Sequence, residues 1–310
     1  MNGVMSNPAL EPTTSISVDE DVCRKDGLCA LICPTRVFTW RRDEPPRIDN
    51  ETLCNLCGQC LAVCPSGAIS HSRLDRSRFE KITDRHPIEA PALGLLLRQR
   101  RSVRAYKEKE IPRELLEQIV EVGAFGPTGS HGGEGWVRRV VVVAGQDNMK
   151  RVADLTYEYV KQLCDLLDGF AVRVVARWKE GPRMGRLMLP DMRMRLAEYE
   201  EGRDVITYGA PAALFVHSPR VTPTPQTDCD CVMYPMMLMA HALGLGTCWN
   251  GYLSKAASGF RLDRFTALRD MLELPDHHDV YAAATLGFPR FRLHSVPQRE
   301  ARARWIVPEE

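Results

Sequence analysis

The sequence lacks the features that mark nucleic-acid-binding, membrane and secreted proteins. Its 41 lysines and arginines nearly balance its 40 aspartates and glutamates, so no charge excess favours nucleic acid or anionic lipid. No apolar run approaches the roughly 18 residues that a membrane helix needs. Residues 1–17 show no basic region followed by an apolar core, as a secretion signal would. We therefore expect a cytoplasmic protein without nucleic-acid or membrane partners, in which residues 1–15 form a disordered leader.

Cysteine, in contrast, is abundant and clustered. Seven of the eleven cysteines fall between residues 23 and 64. In a small secreted protein this density would indicate disulfides, but in a long chain without a recognisable signal it favours metal or redox chemistry in a reducing compartment. The remaining cysteines are expected to be reduced, partly buried thiols. They are Cys164, Cys229, Cys231 and Cys248.

The clustered cysteines form two copies of one motif. Residues 54–65 read CNLCGQCLAVCP, and residues 23–34 read CRKDGLCALICP. The later copy is the full C-x2-C-x2-C-x3-C-P run of iron–sulfur proteins, in which three cysteines bind one cluster and the fourth binds the other. Structural zinc also uses C-x2-C pairs, but it requires neither the third cysteine, nor the C-P tail, nor the duplication. We therefore expect two iron–sulfur clusters, and we expect the fourth cysteine of each copy to begin a helix.

On these motifs, residues 16–72 resemble the two-cluster bacterial ferredoxins. The resemblance implies that each cluster takes ligands from both copies. The second cluster, a [4Fe–4S] cube, would be held by Cys33, Cys54, Cys57 and Cys60. The first would be held by Cys23, Cys29 and Cys64, with position 26 at the fourth corner.

Asp26 is the departure from the ferredoxin pattern, because it occupies the place that Cys57 has in the second copy. A carboxylate is a harder ligand than a thiolate and suits this iron less well. In the family, an aspartate here either ligates the fourth iron or accompanies a [3Fe–4S] cluster. Both alternatives remain open on the sequence, and both predict that a fourth iron is labile.

The remaining sequence predicts a linker and a larger α+β domain. Residues 73–91 are polar and charged, with two prolines near their end, which is typical of a linker. The domain spans residues 92–310. A helix is predicted after Pro112, and short apolar runs predict strands. The predicted strands are 140–144, 212–217 and 281–286, beside extended pieces at 16–18, 37–40 and 68–70 in the cysteine-rich domain. A Met-rich helix is predicted at 231–243 and a helical excursion within 146–204.

Residues 100–104 read RRSVR, and three guanidinium groups beside a hydroxyl can clamp a phosphate. Four further segments follow: AFGPTG at 124–129, GAP at 209–211, GLGTCW at 244–249, and LGFP at 286–289 with Arg299 beyond it. In this order they resemble the FMN-dependent nitroreductase family over residues 92–305. The resemblance implies an α+β sandwich domain that binds FMN at a homodimer interface.

The resemblance also implies roles for individual residues. The FMN phosphate would be bound by Arg100, Arg101, Ser102, Arg104 and Arg299. Pro127, Thr128 and Gly129 would line the isoalloxazine ring, and backbone amides around Trp249, Asn250 and Gly251 would face its N5 side. Where the family usually has an Asn and a Gln, this chain has His131 and Gly133. His131 either contacts the flavin or a substrate, or has no chemical role.

Together the two resemblances imply an iron–sulfur flavoprotein. Single electrons from a reduced ferredoxin or another low-potential donor would pass through the clusters to FMN and leave in a two-electron reduction of a small organic acceptor, such as a nitro compound. Alternatives are a non-catalytic relay to another protein, a reaction such as reductive dehalogenation, and direct reduction by NAD(P)H, although no G-x-G-x-x-G motif is present. The Arg- and Met-rich stretch 183–195 either caps an anionic substrate or is a solvated helix face.

Overall fold

The computed structural model describes residues 15–83, 88–129, 138–176, 178–259 and 265–306. Most of the predicted leader therefore lies outside the described residues. The chain divides into two compact units whose main boundary follows Pro87. Within the described ranges, no helix is both long and apolar enough to cross a membrane.

The N-terminal unit is built from two small antiparallel pairs of strands. Strand β1 (Ile16–Val18) pairs with β4 (Ile69–His71), and β2 (Phe38–Thr39) pairs with β3 (Arg47–Ile48). Three of these strands coincide with the predicted extended pieces, whereas the two-residue β3 was not expected. The apolar core beneath them is small.

Two short helices carry the cysteine motifs. Helices α1 (Leu28–Ile32) and α2 (Gln59–Val63) each follow a glycine in the left-handed conformation, with φ +70° at both Gly27 and Gly58. The expectation that the fourth cysteine begins a helix is wrong, because Cys33 and Cys64 follow the helices in extended conformation. A proline comes after each of these cysteines, and proline excludes the helical conformation from the residue before it.

The second unit contains a four-stranded antiparallel sheet with the order β5-β6-β8-β7. Its strands are β5 (Arg139–Ala144), β6 (Ala212–Pro219), β7 (Gly246–Trp249) and β8 (His278–Gly287). The predicted strands correspond to β5, β6 and β8. The sequence did not predict β7, because its GTCW segment shows no alternation of apolar and polar residues.

Helices cover both faces of this sheet. The helices are α3 (Ala90–Gln99), α4 (Arg113–Gly123), α5 (Gln146–Asp168), α6 (Phe170–Val175), α7 (Glu180–Leu187), α8 (Leu189–Glu200), α9 (Pro225–Ala242), α10 (Gly251–Ser258) and α11 (Ala267–Met271). Successive residues of β6 face opposite layers. Phe215 packs in the core with α5, α10 and α11, while Leu214 packs with α4 and α9. This layered arrangement is the predicted α+β sandwich.

Two helical predictions can be compared directly with the structure. The Met-rich helix is present as α9, although it starts at Pro225, six residues earlier than expected. Its Met233, Met236 and Met237 are buried in the core, so they act as packing residues. The excursion between β5 and β6 is helical as predicted and consists of α5 to α8.

Candidate functional sites

The cysteine motifs fold into two separate rings of donor side chains. Three thiols and a carboxylate line the first cavity: Cys23, Asp26, Cys29 and Cys64. Four thiols line the second: Cys33, Cys54, Cys57 and Cys60. Each ring thus takes its last cysteine from the other copy, as the ferredoxin resemblance implied. The crossing follows from the helices, because α1 and α2 each carry the chain from one ring to the other.

The chemistry of these donors fits iron–sulfur clusters. Burial raises the pKa of Cys29 to about 11 and that of Cys60 to about 12, so cluster binding would displace protons from these thiols. Backbone N–H groups already point at the sulfurs: Leu56 N–H lies 3.4 Å from Cys54 Sγ and Val37 N–H 3.3 Å from Cys33 Sγ. Such N–H groups stabilise the negative charge of thiolate ligands. In the described part of the chain, no three Cys, His, Asp or Glu side chains form a site for a single metal ion.

The Asp26 carboxylate contacts both the start of helix α1 and the first ring. Its Oδ1 accepts the Leu28 N–H at 3.1 Å, at the start of α1. The carboxylate also lines the first cavity with three thiols. Because Oδ2 has no hydrogen-bond partner among the described residues, it is available to a metal.

The predicted phosphate-binding arginines lie beside β7. Val103 N–H donates to the Thr247 carbonyl at 2.9 Å, which aligns this segment with the strand. Nε and Nη1 of Arg100 and Nε of Arg101 are buried without a hydrogen-bond partner among the described residues, and so is Thr247 Oγ1. Buried donors are rarely left in this state. An anion such as a phosphate would satisfy them, so this segment fits the FMN phosphate.

The segment predicted to line the flavin ring is anchored by an arginine that the sequence did not single out. Arg138 Nη1 donates to the carbonyls of Gly126 and Pro127, both at 2.9 Å. Thr128 and Gly129 follow as the last described residues before the gap at 130–137. The predicted His131 lies outside the described residues.

A cavity of about 840 Å³ opens between β7, α10 and the helical excursion. This volume lies near the upper end of the ~300–1,000 Å³ that is usual for ligand pockets. Arg104, Trp249, Asn250 and Gly251 from the predicted flavin site line one part of it. Aliphatic and methionine side chains of the excursion line the opposite part, and they include Leu163, Leu166, Leu167, Met188 and Met192. Arg104 therefore lies on the cavity side, with Trp249 and Asn250.

The cavity wall also contains a residue in a strained conformation. Tyr208 has φ +58°, which is unusual for an aromatic residue. Asp204 holds the turn, because its carboxylate accepts the N–H groups of Thr207 at 2.8 Å and of Gly209 at 3.0 Å. Such strain occurs mainly at functional sites. The sequence signal for this turn is the short spacing between Asp204 and Gly209, the first residue of the GAP segment.

In the Arg- and Met-rich stretch, Arg195 is neither simply exposed to solvent nor free to bind an anion. Arg195 donates to both oxygens of Asp191, at 2.8 and 3.1 Å, and to the Val205 carbonyl at 2.9 Å. Tyr252 donates to the same Asp191 at 2.9 Å. Asp191 therefore joins α8 to α10, and Arg195 joins α8 to the segment that contains Val205. Lys255, also on α10, lines the cavity and has no ion pair with any described residue.

Arg299 is the one predicted phosphate ligand outside residues 100–104. It lies in the exposed segment 290–306, which forms no helix or strand, and makes no hydrogen bond to a described residue. The nearby Pro297 carbonyl accepts a bond of 3.4 Å from Arg101 Nη2. Through this bond the C-terminal segment reaches the predicted phosphate site, although Arg299 itself makes no hydrogen bond to a described residue there.

Known proteins share both parts of this architecture. A model of the nitroreductase family matches residues 97–288, and a 4Fe-4S binding domain matches residues 48–70. A 4-nitrobenzoate reductase of Nocardioides is 25% identical over 64% of this chain and 80% of its own length. A putative NADH dehydrogenase/NAD(P)H nitroreductase of Methanothermobacter thermautotrophicus is 20% identical over 62% of this chain and 75% of its own.

Solved structures share the fold of the second unit. A nitroreductase with bound FMN from Bacteroides fragilis superposes with a TM-score of 0.52 at 23% identity, covering 70% of this chain and 98% of its own. An FMN-dependent nitroreductase from Clostridium difficile gives 0.50 at 15% identity, covering 68% and 97%. Because the family model spans more than half of the chain, the protein belongs to the nitroreductase family and carries an additional N-terminal 4Fe-4S binding domain.

Proposed function

We propose that this protein is an iron–sulfur flavoprotein oxidoreductase that passes single electrons from a low-potential donor through two clusters to FMN, and then two electrons to a small organic acceptor. The observation that carries the proposal is the presence, in one chain, of two donor rings and of buried arginine N–H groups without partners. The first are suited to one-electron carriers and the second to a flavin phosphate.

When bound, FMN accepts electrons singly and delivers them in pairs to an organic acceptor. The chain supplies binding and surroundings. Arg100 and Arg101 would hold the phosphate, and Arg104 would place a positive charge beside the ring, where it favours the anionic reduced form. The apolar side chains of the excursion would exclude water from the acceptor. For a nitro compound, two electrons and two protons give the nitroso compound and one water.

The electron path is tested by anaerobic reduction. Reduced ferredoxin is mixed with the protein, and cluster bleaching and flavin absorbance are followed in the same stopped-flow experiment. We expect the clusters to bleach first and the flavin afterwards. Flavin that stays oxidised while the clusters are bleached would refute the path.

A variant without an intact second cluster provides the control. Cys54→Ala should lower the iron content but keep the FMN content, since Cys54 lies in the N-terminal unit. We expect ferredoxin-driven flavin reduction to be lost, while reduction by excess dithionite persists. Ferredoxin-driven reduction at the wild-type rate would show that electrons bypass this cluster.

Direct reduction by NAD(P)H is a second candidate, favoured by the name of the relative from Methanothermobacter thermautotrophicus, a putative NADH dehydrogenase/NAD(P)H nitroreductase. In that case NAD(P)H would bleach the flavin first, and the clusters would follow or remain oxidised. The same stopped-flow instrument separates the two orders of reduction.

For the acceptor, we propose an aromatic nitro compound that carries a carboxylate. Aromatic side chains line the cavity, including Tyr159, Tyr208, Trp249 and Tyr252, and Lys255 adds a cation without a described ion-pair partner. One relative is named a 4-nitrobenzoate reductase. A planar ring would pack against the aromatic side chains, and the ammonium group would bind the carboxylate.

Matched substrates test this assignment. With 4-nitrobenzoate, Lys255→Met should raise KM by roughly 10-fold, which corresponds to the loss of one charged hydrogen bond. The uncharged methyl 4-nitrobenzoate should be unaffected, and Lys161→Met, on the exposed face of α5, should change neither value. Equal effects on the acid and the ester would refute a role of Lys255 in carboxylate binding.

A further inference from the structure

His71 is a buried histidine beside the second ring that the proposed electron path does not yet use. It ends strand β4 and is 9% exposed. Its Nε2 lies 3.5 Å from the sulfur of Cys54, one of the four thiols of that ring. The contact falls within hydrogen-bonding distance for sulfur, so its direction depends on which ring nitrogen carries the proton.

A backbone contact fixes the tautomer. The Arg73 N–H donates to His71 Nδ1 at 3.0 Å. A backbone amide can only donate, so Nδ1 must be the acceptor and carries no proton. A neutral imidazole then has its proton on Nε2. His71 therefore donates its Nε2–H to Cys54 Sγ.

At the equivalent position of the first ring, the side chain makes a different hydrogen bond. The two motifs are offset by 31 positions, as Cys23 and Cys54 are, so Trp40 is the counterpart of His71. The Trp40 indole N–H donates instead to the Lys25 carbonyl at 3.1 Å. In both loops a backbone N–H two residues beyond the first cysteine lies 3.4 Å from its sulfur. The rings thus share the backbone contact and differ in the hydrogen bond made by the side chain at position 40 or 71.

We infer that His71 raises the reduction potential of the cluster in the second ring by donating a hydrogen bond to its Cys54 ligand. A donor at a ligand sulfur stabilises the reduced, more negative cluster more than the oxidised one. His71 is thus a tuning residue that makes the second cluster a better electron acceptor than its four thiolates alone would. The inference rests on the proposed function only in requiring a cluster in this ring.

The test is an anaerobic redox titration of the holoprotein at constant pH, monitored by EPR of the reduced second cluster. His71→Phe keeps a planar ring but removes the N–H, and it should shift the midpoint potential to a more negative value. His71→Gln can place an amide N–H near the position of Nε2 and should recover much of the wild-type potential. Trp40→Phe, at the equivalent place in the other copy, should leave the second cluster unchanged.

Iron and sulfide analysis accompanies each titration. A His71→Phe protein with full iron content and the wild-type midpoint would overturn the inference, as would an equal shift in Trp40→Phe. If His71→Phe loses iron, the His71→Gln variant decides. A His71→Gln protein with wild-type cluster content and a clearly more negative midpoint potential than the wild type would contradict the role of the N–H. Wild-type protein without iron in the second ring would instead refute the proposed function.

Discussion

Asp26 and Cys57 occupy equivalent positions in the two cysteine loops. The difference between the two side chains changes the donor set of one ring, while the backbone of the two loops stays alike. Both loops turn at a left-handed glycine and enter a five-residue helix. The backbone therefore does not require cysteine at position 26. What differs is the donor offered to the fourth iron, a carboxylate in place of a thiolate.

Replacement of Asp26 should change the behaviour of the first cluster towards oxidants. We expect mild ferricyanide oxidation of the wild-type protein to give the EPR signal of a three-iron cluster, because a carboxylate holds the fourth iron weakly. Asp26→Cys should abolish that signal and raise the iron content after oxidation. Identical spectra for both oxidised proteins would contradict this expectation.

A buried histidine pair should make the second unit sensitive to acid. His217 Nδ1 and His278 Nδ1 lie 2.8 Å apart, so at least one imidazole must be neutral. Burial, and secondly the neighbouring positive groups, lower the pKa of each histidine to about 4. The positive groups around the pair are Arg139, Arg220, Arg269 and His277. Asp279 forms ion pairs with Arg220 and Arg269.

Because an unfolded histidine titrates near 6.5, the unfolded state binds more protons than the folded state between pH 6.5 and about 4. The contribution of the pair to stability is therefore complete above pH 6.5 and falls as the pH drops, by on the order of 1–3 kcal/mol. His278→Gln should flatten the pH dependence of the thermal midpoint, measured by circular dichroism. The exposed His294→Gln serves as the control, and an equal flattening there would contradict the assignment.

At the scale of elements, α4 and the segment after it pack against α9 through glycine. A Cβ on Gly126 would lie 2.4 Å from the Cys231 carbonyl oxygen, and a Cβ on Gly123 would lie 3.1 Å from Met236. The backbone of α9 cannot retreat easily, because its other side packs against β6 and β8. This contact fixes the position of Pro127, which the resemblance places at the flavin.

Gly126→Ala should therefore destabilise the second unit by about 1–3 kcal/mol, as overpacking does, and lower its FMN content. Thermal unfolding and flavin absorbance measure the two effects. Gly94→Ala on the exposed α3 is the matched control, since its Cβ would meet only the flexible end of Arg98. We expect it to be neutral or slightly stabilising; a similar loss in both variants would exclude the packing explanation.

Sequence patterns predicted most of the helices and strands that bury either one face or their whole length in the core. The apolar run of β6 and the amphipathic face of α4 each match a period that burial imposes. Strand β7 has no such period, and its hydrogen bonds come from β8 and from Val103, which are distant in sequence. Helices α1 and α2 are similarly set by the turn at a glycine and by a following proline, and not by propensity.

At the scale of the whole molecule, the C-terminal segment carries large apolar side chains that its described contacts do not bury. Residues 290–306 are exposed and form no helix or strand, and they include Phe291, Trp305 and Ile306, which are 69%, 81% and 88% exposed. Large apolar side chains in such a segment are typical of a surface that another chain covers. The family resemblance implies that this chain is a second copy.

In the homodimer that the resemblance implies, removal of residues 291–310 should shift the protein towards the monomer and reduce its FMN content, because the exposed apolar side chains and the Pro297 contact to Arg101 are lost together. Light scattering and flavin absorbance report the two changes. The double variant Trp305→Ser/Ile306→Ser retains the Pro297 contact and should weaken the dimer alone. A truncated protein that remains dimeric would contradict this role of the segment.

The sequence by itself determined the family, the layered α+β fold and the residue types that can bind clusters and phosphate, because spacing along the chain carries that information. Only the tertiary structure decided which side chains of distant segments meet. Examples are His71 with Cys54, Arg138 with the carbonyls before Thr128, and Lys255 with the cavity. No local pattern encodes these contacts, since each depends on how separate strands and helices pack.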